Sequence, residues 1–388
     1  MRAAEKRASP LVAGARTPGL FDRPRRRRRQ LVTRTDRPSQ FPELASSRDA
    51  WKAGETAAGS REELLVATIE LQAVDAVEVT IVIDMFVDIL MAGQEGVRRF
   101  PLAYDWSDRD CLVAEHGFSA LITIERNGDR SALLYDGGLS VQGLQRNLDV
   151  MDINTANLRA IAISHGHVDH HGGLEGLFQR HGRMKLPLVI HPDAWKDREI
   201  RFPTGNKLHM PPPRATDLEA EGLTVVEERG PTLLIDDCVL VSGQVERVTE
   251  YEKGFPFQFA HVNGDWEPDP WIFDDQNVVV KVRDLGLVVV SACSHSGVVN
   301  VLRNAQRLTG EQHIGAFVGG LHLTGGIFEP IIPNTIADFV ALGVERVVPA
   351  HCTGWRATHE LARSMPEAFV QPSVGTVFRF ESSSAQTR

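Results

Sequence analysis

Four side chains that can bind a metal ion lie within six positions of one another, between His165 and His170. Imidazole nitrogen and carboxylate oxygen are ligands that zinc and similar divalent metals accept. On a loop between two rigid elements, residues two positions apart can point the same way, so we expect His165 and His167 to hold one ion. Asp169 and His170 are expected to hold a second ion beside it. The stretch predicts a site for one or two divalent transition-metal ions, with zinc expected and manganese or iron as alternatives.

Three later histidines, His295, His322 and His351, each follow an apolar run that predicts a strand. From such a position a side chain reaches a site at the edge of a sheet. We expect His295 and His351 to complete the metal site. Asp169 is the candidate for positioning the attacking water, and His351 or His322 for stabilising a developing oxyanion. The alternative for each later histidine is a hydrogen bond that orients a ligand.

The elements that must position these residues can be read from the apolar pattern. Strands are predicted at residues 77–83, 119–124, 131–135, 158–164, 186–190, 239–241, 278–283, 287–291, 316–318 and 346–349, and helices at 141–151, 174–179, 298–308 and 334–342. Strand sets in both halves, each with its own helices, predict an α+β fold of the αββα sandwich type, with two mixed sheets face to face and helices outside. Segments 203–217 and 251–273 have weak periodicity and are predicted insertions over the active site.

The chain divides by composition into an arm and a domain. Residues 1–72 are rich in Pro, Arg, Ser and Gly and lack apolar periodicity until a helix-like stretch near 62–71, so they are predicted to be a disordered arm. Residues 73–382 are predicted to be the catalytic domain and 383–388 a tail. The run from Arg25 to Arg29 is compatible with a nucleic-acid patch, a membrane-surface patch or a targeting segment. We favour a solvated tail, or an upstream extension from a misassigned start codon.

Charge and cysteine content narrow the class of protein. Residues 1–40 carry 12 basic and 3 acidic residues, which leaves 30 basic against 48 acidic and a net charge of −18 in the remainder. An acidic body argues against nucleic-acid binding. The sequence has no long apolar stretch and no apolar leader, so neither a membrane span nor a secretory signal is predicted. Four cysteines without framework spacing favour the cytoplasm. For Cys293 and Cys352, which stand near histidines, a buried structural thiol is the plainer interpretation.

The pattern His-x-His-x-Asp-His-x-Gly-Gly, from His165 to Gly173, resembles the signature of the metallo-β-lactamase superfamily. The resemblance implies the αββα sandwich over residues 77–382 and a metal site at one edge of the sheets. Many members carry a Gly-Asp at the strand end where this chain has Cys293, Ser294 and His295, and that carboxylate usually bridges two metals. Its replacement leaves the ligand of the second metal open.

Further motifs resemble the subfamily named for 7,8-dihydropterin-6-methyl-4-(β-D-ribofuranosyl)aminobenzene-5′-phosphate synthase. They occur in one order, at residues 115–122, 243–250, 274–276, 293–300, 319–323 and 351–354. That resemblance implies a small substrate that is phosphorylated or pterin-like. Gln244 and Glu246 depart from the Gly-Glu-Ile-Pro-Arg pattern of the subfamily, which leaves the identity of the substrate open.

Three residues of these motifs are candidates for substrate contacts. Arg247 can pair with a phosphate in bidentate fashion, and a surface salt bridge is its alternative. Asp274 and Asp275 can orient a substrate amine or a pterin-like ring, and capping of a turn is their alternative.

Four functions are compatible with such a site. A divalent ion lowers the pKa of water to about 7 and polarises a phosphoryl or carbonyl oxygen, which predicts a metal-dependent hydrolase. The alternative is a transferase, in which a carbon nucleophile displaces diphosphate from a pterin methylene. Reduction of oxygen or nitric oxide at a di-iron centre is disfavoured, because His167 stands where flavodiiron relatives carry glutamate. A non-catalytic metal-binding protein is also disfavoured, because a sensor or scaffold has no need of a full ligand set.

Overall fold

The apolar runs of the sequence pair into three β-sheets in a computed structural model that describes residues 68–101 and 111–382. The arm predicted over residues 1–72 lies outside the described residues except for 68–72, and so does the tail 383–388. The helix-like stretch near 62–71 is described only from residue 68, where the chain is not helical. None of the helices in the described ranges has the length and hydrophobicity that crossing a bilayer needs.

All the strands and helices predicted from the apolar pattern are present, together with further strands and helices that the pattern did not predict. The strands are β1 Ala76–Ile83, β2 Val97–Arg98, β3 Ser119–Arg126, β4 Asp129–Tyr135, β5 Leu158–Ala162, β6 Pro187–Ile190, β7 Arg198–Arg201, β8 Lys207–Met210, β9 Thr224–Glu227, β10 Thr232–Leu234, β11 Val239–Val241, β12 Gln258–Val262, β13 Asp265–Pro268, β14 Val278–Val282, β15 Gly286–Ser291, β16 Ile314–Gly320, β17 Arg346–Ala350 and β18 Val377–Glu381. The α-helices are α1 Val141–Val150, α2 Val168–His171, α3 Leu174–His181, α4 Ala215–Ala220, α5 Val298–Thr309, α6 Ile332–Leu342 and α7 Trp355–Ser364.

Two large mixed sheets form the centre of the fold. The first has eight strands in the order β2-β18-β1-β3-β4-β5-β6-β9, and the second has six in the order β10-β11-β14-β15-β16-β17. In the first sheet β4, β5, β6 and β9 are parallel, and in the second β15, β16 and β17 are parallel. Parallel neighbours end at one edge of their sheet, which places the loops that follow them side by side.

Three apolar layers hold the sheets and helices together. The inner faces of both sheets share one core, which includes Val79, Ile122 and Val290. The outer face of the six-stranded sheet packs on α5, α6 and α7, and the outer face of the eight-stranded sheet packs on α1, α3 and α4. Because each sheet buries both faces, its strands are continuous apolar runs. This layering is the predicted αββα sandwich.

A third sheet of four strands, in the order β13-β12-β7-β8, was not predicted. Three of its strands, β8, β12 and β13, lie within the two segments that were predicted as insertions, and β7 lies just before the first of them. These strands are short and partly exposed, so their sequences carry charged and aromatic residues without a regular apolar alternation. Gln258, the first residue of β12, reaches the histidine loop, so this sheet lies next to the candidate site.

Candidate metal centre

Four loops bring the candidate ligands to one edge of the sandwich. The stretch 165–170 follows β5 of the eight-stranded sheet, whereas His295, His322 and His351 follow β15, β16 and β17 of the six-stranded sheet. The three later histidines therefore lie on adjacent loops, and the packing of the two sheets sets those loops against the first one. The topology explains why residues far apart in sequence meet here.

His165 is at the centre of the first cluster. Its Nε2 lies 2.9 Å from Nδ1 of His167 and 3.1 Å from Nε2 of His295. One imidazole nitrogen carries either one proton or one lone pair, so it can satisfy only one of these two neighbours. The three nitrogens therefore fit better around a shared divalent cation than around one another. We refer to these three histidines as the first triad.

Asp136 and Ser164 determine which nitrogens face the clusters. Ser164 Oγ donates to Asp136 Oδ2 at 2.7 Å, which leaves the hydroxyl oxygen to accept from Nδ1 of His165 at 2.9 Å. His170 Nδ1 likewise donates to Asp136 Oδ2 at 2.7 Å. The Nε2 atoms of both rings therefore face the clusters, and Nε2 of His170 is buried without a hydrogen-bond partner among the described residues. Such carboxylate–histidine pairs are typical of metal ligands.

The second cluster combines a carboxylate with two imidazoles. Oδ2 of Asp169 lies 3.7 Å from Nε2 of His170 and 3.5 Å from Nε2 of His351. Nε2 of His116, a residue not predicted for the site, is 3.6 Å from the same oxygen, and its side chain is 64% exposed. Asp169, His170 and His351 form what we call the second triad, and their donor set also fits a divalent cation.

The protonation states suit metal binding. Burial lowers the pKa of His165 and His295 well below the ordinary value and lowers that of His167 to about 3. Burial raises the pKa of Asp169, but the adjacent His170 and His351 outweigh this effect and hold it below its ordinary value. At neutral pH the first triad is therefore uncharged and Asp169 is ionised, which are the forms that ligate metals.

His351 is the exception among the imidazoles. Burial lowers its pKa, but the neighbouring Cys352 and Asp169 outweigh this effect and raise it to about 9. A proton therefore occupies the position in the second triad that a cation would take, and metal binding would displace it.

The loops that carry the later histidines have unusual backbone conformations. Ser294, His322 and His351 have φ values of 59°, 50° and 46°, in the left-handed region that non-glycine residues rarely adopt. Ser294 Oγ donates to the carbonyl of Gly320 at 2.6 Å, and the N–H of His351 donates to Oδ1 of Asp84 at 2.7 Å. Such conformations cost about 1–3 kcal/mol each and concentrate at functional sites.

Asp274 and Asp275, expected to contact a substrate, lie behind the ligand loops and are 0% and 1% exposed. Oδ2 of Asp274 accepts from the N–H of Gly166 at 2.8 Å, and Oδ2 of Asp275 accepts from the N–H of Ser296 at 2.8 Å. Both side chains are buried, and a contact with substrate stays a proposal. The two neighbouring carboxylates position the loop of His165 and the loop of His295.

Arg247, expected to bind phosphate, lies half-buried against the His295 loop. It donates to the backbone carbonyls of Trp271 and His295, and its guanidinium carbon is 5.3 Å and 5.6 Å from the ring centroids of Trp271 and Phe273. Its Nε has no hydrogen-bond partner among the described residues. Arg247 therefore braces this loop, and a contact with phosphate stays a proposal.

A cavity of about 190 Å³ opens beside His295 and His322. Its walls are mostly apolar and also include the charged residues Glu252 and Lys253; the apolar part of the lining includes Leu321, Leu323, Ile327 and Phe328. The ring of Phe328 stands edge-on to His322, with centroids 4.6 Å apart. Such a cavity beside the donor triads is suited to a small ligand with an apolar part.

Several residues that shape the site were not predicted. Asp84 and Asp136 each come directly after an apolar strand, β1 and β4, as the predicted histidines do after theirs. That position was a usable signal for both. Arg198, fully buried and paired with Asp274 at 2.6 Å, gave no such signal because it lies in the unpredicted third sheet.

Comparisons with known proteins agree with this architecture. The sequence model of the metallo-beta-lactamase superfamily matches residues 114–351. The 7,8-dihydropterin-6-methyl-4-(beta-D-ribofuranosyl)-aminobenzene-5'-phosphate synthase of Methanocaldococcus jannaschii is 27% identical over 293 residues, which are 74% of this chain and 97% of that protein. An uncharacterized protein of the same organism is 29% identical over 271 residues, 69% of this chain and 94% of its own length.

Among solved structures, a metal-dependent hydrolase of the beta-lactamase superfamily, Tm1679, matches with a TM-score of 0.59. It is 24% identical, and the match covers 79% of this chain and 99% of that one. This likeness shows the fold. The match to the synthase from Methanocaldococcus confirms the resemblance to the synthase subfamily. Since the family match covers more than half of the sequence and the fold is the αββα sandwich, this chain belongs to the metallo-β-lactamase superfamily.

Proposed function

We propose that the chain is a metal-dependent hydrolase that cleaves a small molecule at a phosphoryl or carbonyl centre. The observation that carries the proposal is the juxtaposition of two donor triads with a cavity that reaches His295. The first triad would hold one cation and the second triad another. When bound, such ions activate water at neutral pH and polarise the oxygen of the scissile group.

Three residues near the proposed ions could orient water, stabilise negative charge and transfer a proton. Asp169 is ionised and partly accessible, so its carboxylate can accept a hydrogen bond from the attacking water and orient it. His322 lines the cavity and can donate a hydrogen bond to an oxygen that gains charge. His116, 3.6 Å from Asp169 and largely exposed, can pass a proton between the site and solvent.

The cavity indicates which substrates to test. Lys253 is the cation in a mostly apolar wall that also contains Glu252, whose carboxylate is held by the backbone N–H groups of Val299 and Asn300, and Phe328 contributes an aromatic ring. A substrate with one anionic group and one apolar or planar part would complement both features. Phosphodiesters, phosphomonoesters, lactones and thioesters with an aromatic or acyl part are therefore the first compounds to assay.

One observation favours a second candidate function. The relative matched over 97% of its length is named 7,8-dihydropterin-6-methyl-4-(beta-D-ribofuranosyl)-aminobenzene-5'-phosphate synthase. The resemblance to its subfamily implies a reaction that joins a pterin to a ribosylaminobenzene phosphate. In that reaction a carbon nucleophile would displace diphosphate from the pterin methylene. The donor triads would then hold the leaving group, and the mostly apolar cavity would receive an aromatic ring.

The two candidates differ in what they consume. The full chain, loaded with zinc, would be incubated with the ester panel, and separately with a dihydropterin diphosphate in the presence or absence of the aryl phosphate. Hydrolysis of a single substrate, abolished by His167→Ala, supports the hydrolase. Product formation that requires both compounds supports the transferase. A chain that binds no divalent metal contradicts both.

A further inference from the structure

The geometry points to Cys293 as a metal ligand shared by the two triads. This inference rests on the metal site proposed above and adds a ligand to it. Cys293 lies two positions after β15, on the loop that carries His295. We assign the shared position to the sulfur of Cys293.

The placement of the sulfur carries the inference. Sγ of Cys293 and the ligand nitrogens of His165 and His170 all lie within 4.8 Å of one another. Sγ also belongs to equally close groups with His295 and with His351. Among the described residues outside the two triads, Cys293 is the only residue that shares ligand groups with members of both triads. Cys293 therefore stands between the two proposed cations.

The surroundings of Cys293 differ from those of a structural thiol. Cys238, by comparison, packs within the apolar core between the sheets. Cys293 is only 3% exposed but belongs to none of the apolar clusters of the described residues. Its sulfur lies 3.4 Å from Nδ1 of His322 and 3.2 Å from Sγ of Cys352. Potential metal ligands surround it on several sides, which the packing of a small apolar residue does not require.

A thiolate ligand would affect both the protons released on metal binding and the choice of metal. On metal binding the thiol releases its proton to solvent, and a sulfur lone pair forms the bond to the cation. Sulfur favours zinc, cobalt or iron over manganese and magnesium, which a carboxylate at this position would suit better. Cys352 is the matched control, because it is buried next to Cys293 but shares a ligand group with the second triad only.

Cobalt substitution tests the assignment without relying on activity. The full-length protein and the variants Cys293→Ser, Cys352→Ser and Cys293→Asp would be titrated with Co²⁺. Thiolate-to-cobalt absorption in the near ultraviolet, stoichiometry by elemental analysis and affinity by competition with a chelator would be recorded. Thermal melting of the metal-free variants would exclude misfolding as a cause.

We expect two cobalt ions per chain and thiolate absorption in the wild type and in Cys352→Ser. Cys293→Ser should lose the absorption and bind the second ion more than tenfold more weakly. Cys293→Asp should lose the absorption but regain the second ion, since a carboxylate can replace the shared ligand. Absorption that persists in Cys293→Ser, or that is lost in Cys352→Ser alone, overturns the assignment. Two bound ions without thiolate absorption overturn it but leave the proposed metal site intact, whereas a wild type that binds no cobalt removes both.

Discussion

Asp274 accepts a hydrogen bond from the backbone N–H of Gly166 at 2.8 Å, at the midpoint of the loop that carries His165 and His167. The same carboxylate pairs with the fully buried Arg198 at 2.6 Å, and Arg198 also pairs with Asp269 at 2.9 Å. The third sheet thus reaches the ligand loop through one buried charge network. The position of the first triad depends on a strand that carries no ligand of its own.

Replacing Asp274 tests this connection. In Asp274→Asn the guanidinium of Arg198 loses one of its two carboxylates within a buried environment, which costs about 3–5 kcal/mol. The affinity of the first triad for zinc should also fall about 10–100-fold, because the loop loses its support. Denaturant unfolding of the metal-free protein and zinc titration against a chelator measure the two effects.

A surface ion pair is the control for this variant. Asp149 pairs with Arg180 at 2.5 Å, and its side chain is 57% exposed. Asp149→Asn should therefore change the unfolding free energy by less than about 1 kcal/mol and leave zinc affinity unchanged. Equal effects of the two substitutions would contradict the role of the buried network.

Substitution of two histidines in the stretch 165–173 distinguishes a metal ligand from a histidine that does not bind metal. His167 belongs to the first triad, whereas His171 belongs to none of the donor groups of the described residues. We expect His167→Ala to lose the ion of the first triad, because no nearby group replaces the imidazole. His171→Ala should keep the wild-type metal content. Elemental analysis after dialysis gives the answer, and unchanged metal in His167→Ala would remove the ligand assignment.

Zinc should stabilise the folded chain by mass action. A ligand that binds only the folded state contributes about 2.7 kcal/mol at a free concentration of about 100 times its Kd. We expect a rise of several degrees in Tm by calorimetry on adding zinc to metal-free protein, reversed by a chelator. Calcium, which prefers sets of oxygen ligands, is the control and should leave Tm unchanged. A shift of similar size with both ions would mean that the nitrogen-rich triads are not the binding site.

Much of the fold follows from local sequence, because sheets buried on both faces require continuous apolar runs. The hairpin of β3 and β4 shows this, since Asn127 and Gly128 adopt the positive φ values, 54° and 87°, of a tight turn. Gly166 lies so close to the carbonyl of Ala194 that a Cβ would clash with it. In these places the sequence pattern and the structure agree because the constraint is local.

The unpredicted features depend on distant contacts. Arg198 lies in a short charged strand, and its partner Asp274 lies 76 positions later, so neither residue alone indicates the pair. Cys293 also looks like an ordinary buried thiol until the fold places His165 and His170 beside it. Sequence spacing indicated the candidate ligand loop, whereas the supporting charges and the proposed shared sulfur required the tertiary structure.

His191 provides a prediction for pH dependence away from the triads. It is fully buried, its Nδ1 accepts from the N–H of Asp193 at 3.1 Å, and burial lowers its pKa from 6.5 to about 4. As pH falls below 6.5, His191 therefore binds a proton in the unfolded chain but stays unprotonated in the folded chain until the pH approaches 4. Stability that is present above pH 6.5 is lost progressively as pH falls toward 4.

His191→Asn removes this titration and keeps an acceptor for the N–H of Asp193. Between pH 7.5 and pH 5 the metal-free wild type should lose about 2 kcal/mol more unfolding free energy than the variant, because one pKa unit corresponds to about 1.4 kcal/mol. The comparison is a difference between two proteins that share every other titrating group, so those groups cancel. Denaturant unfolding at the two pH values measures it. Parallel losses in both proteins would show that His191 takes up its proton equally in the folded and unfolded states.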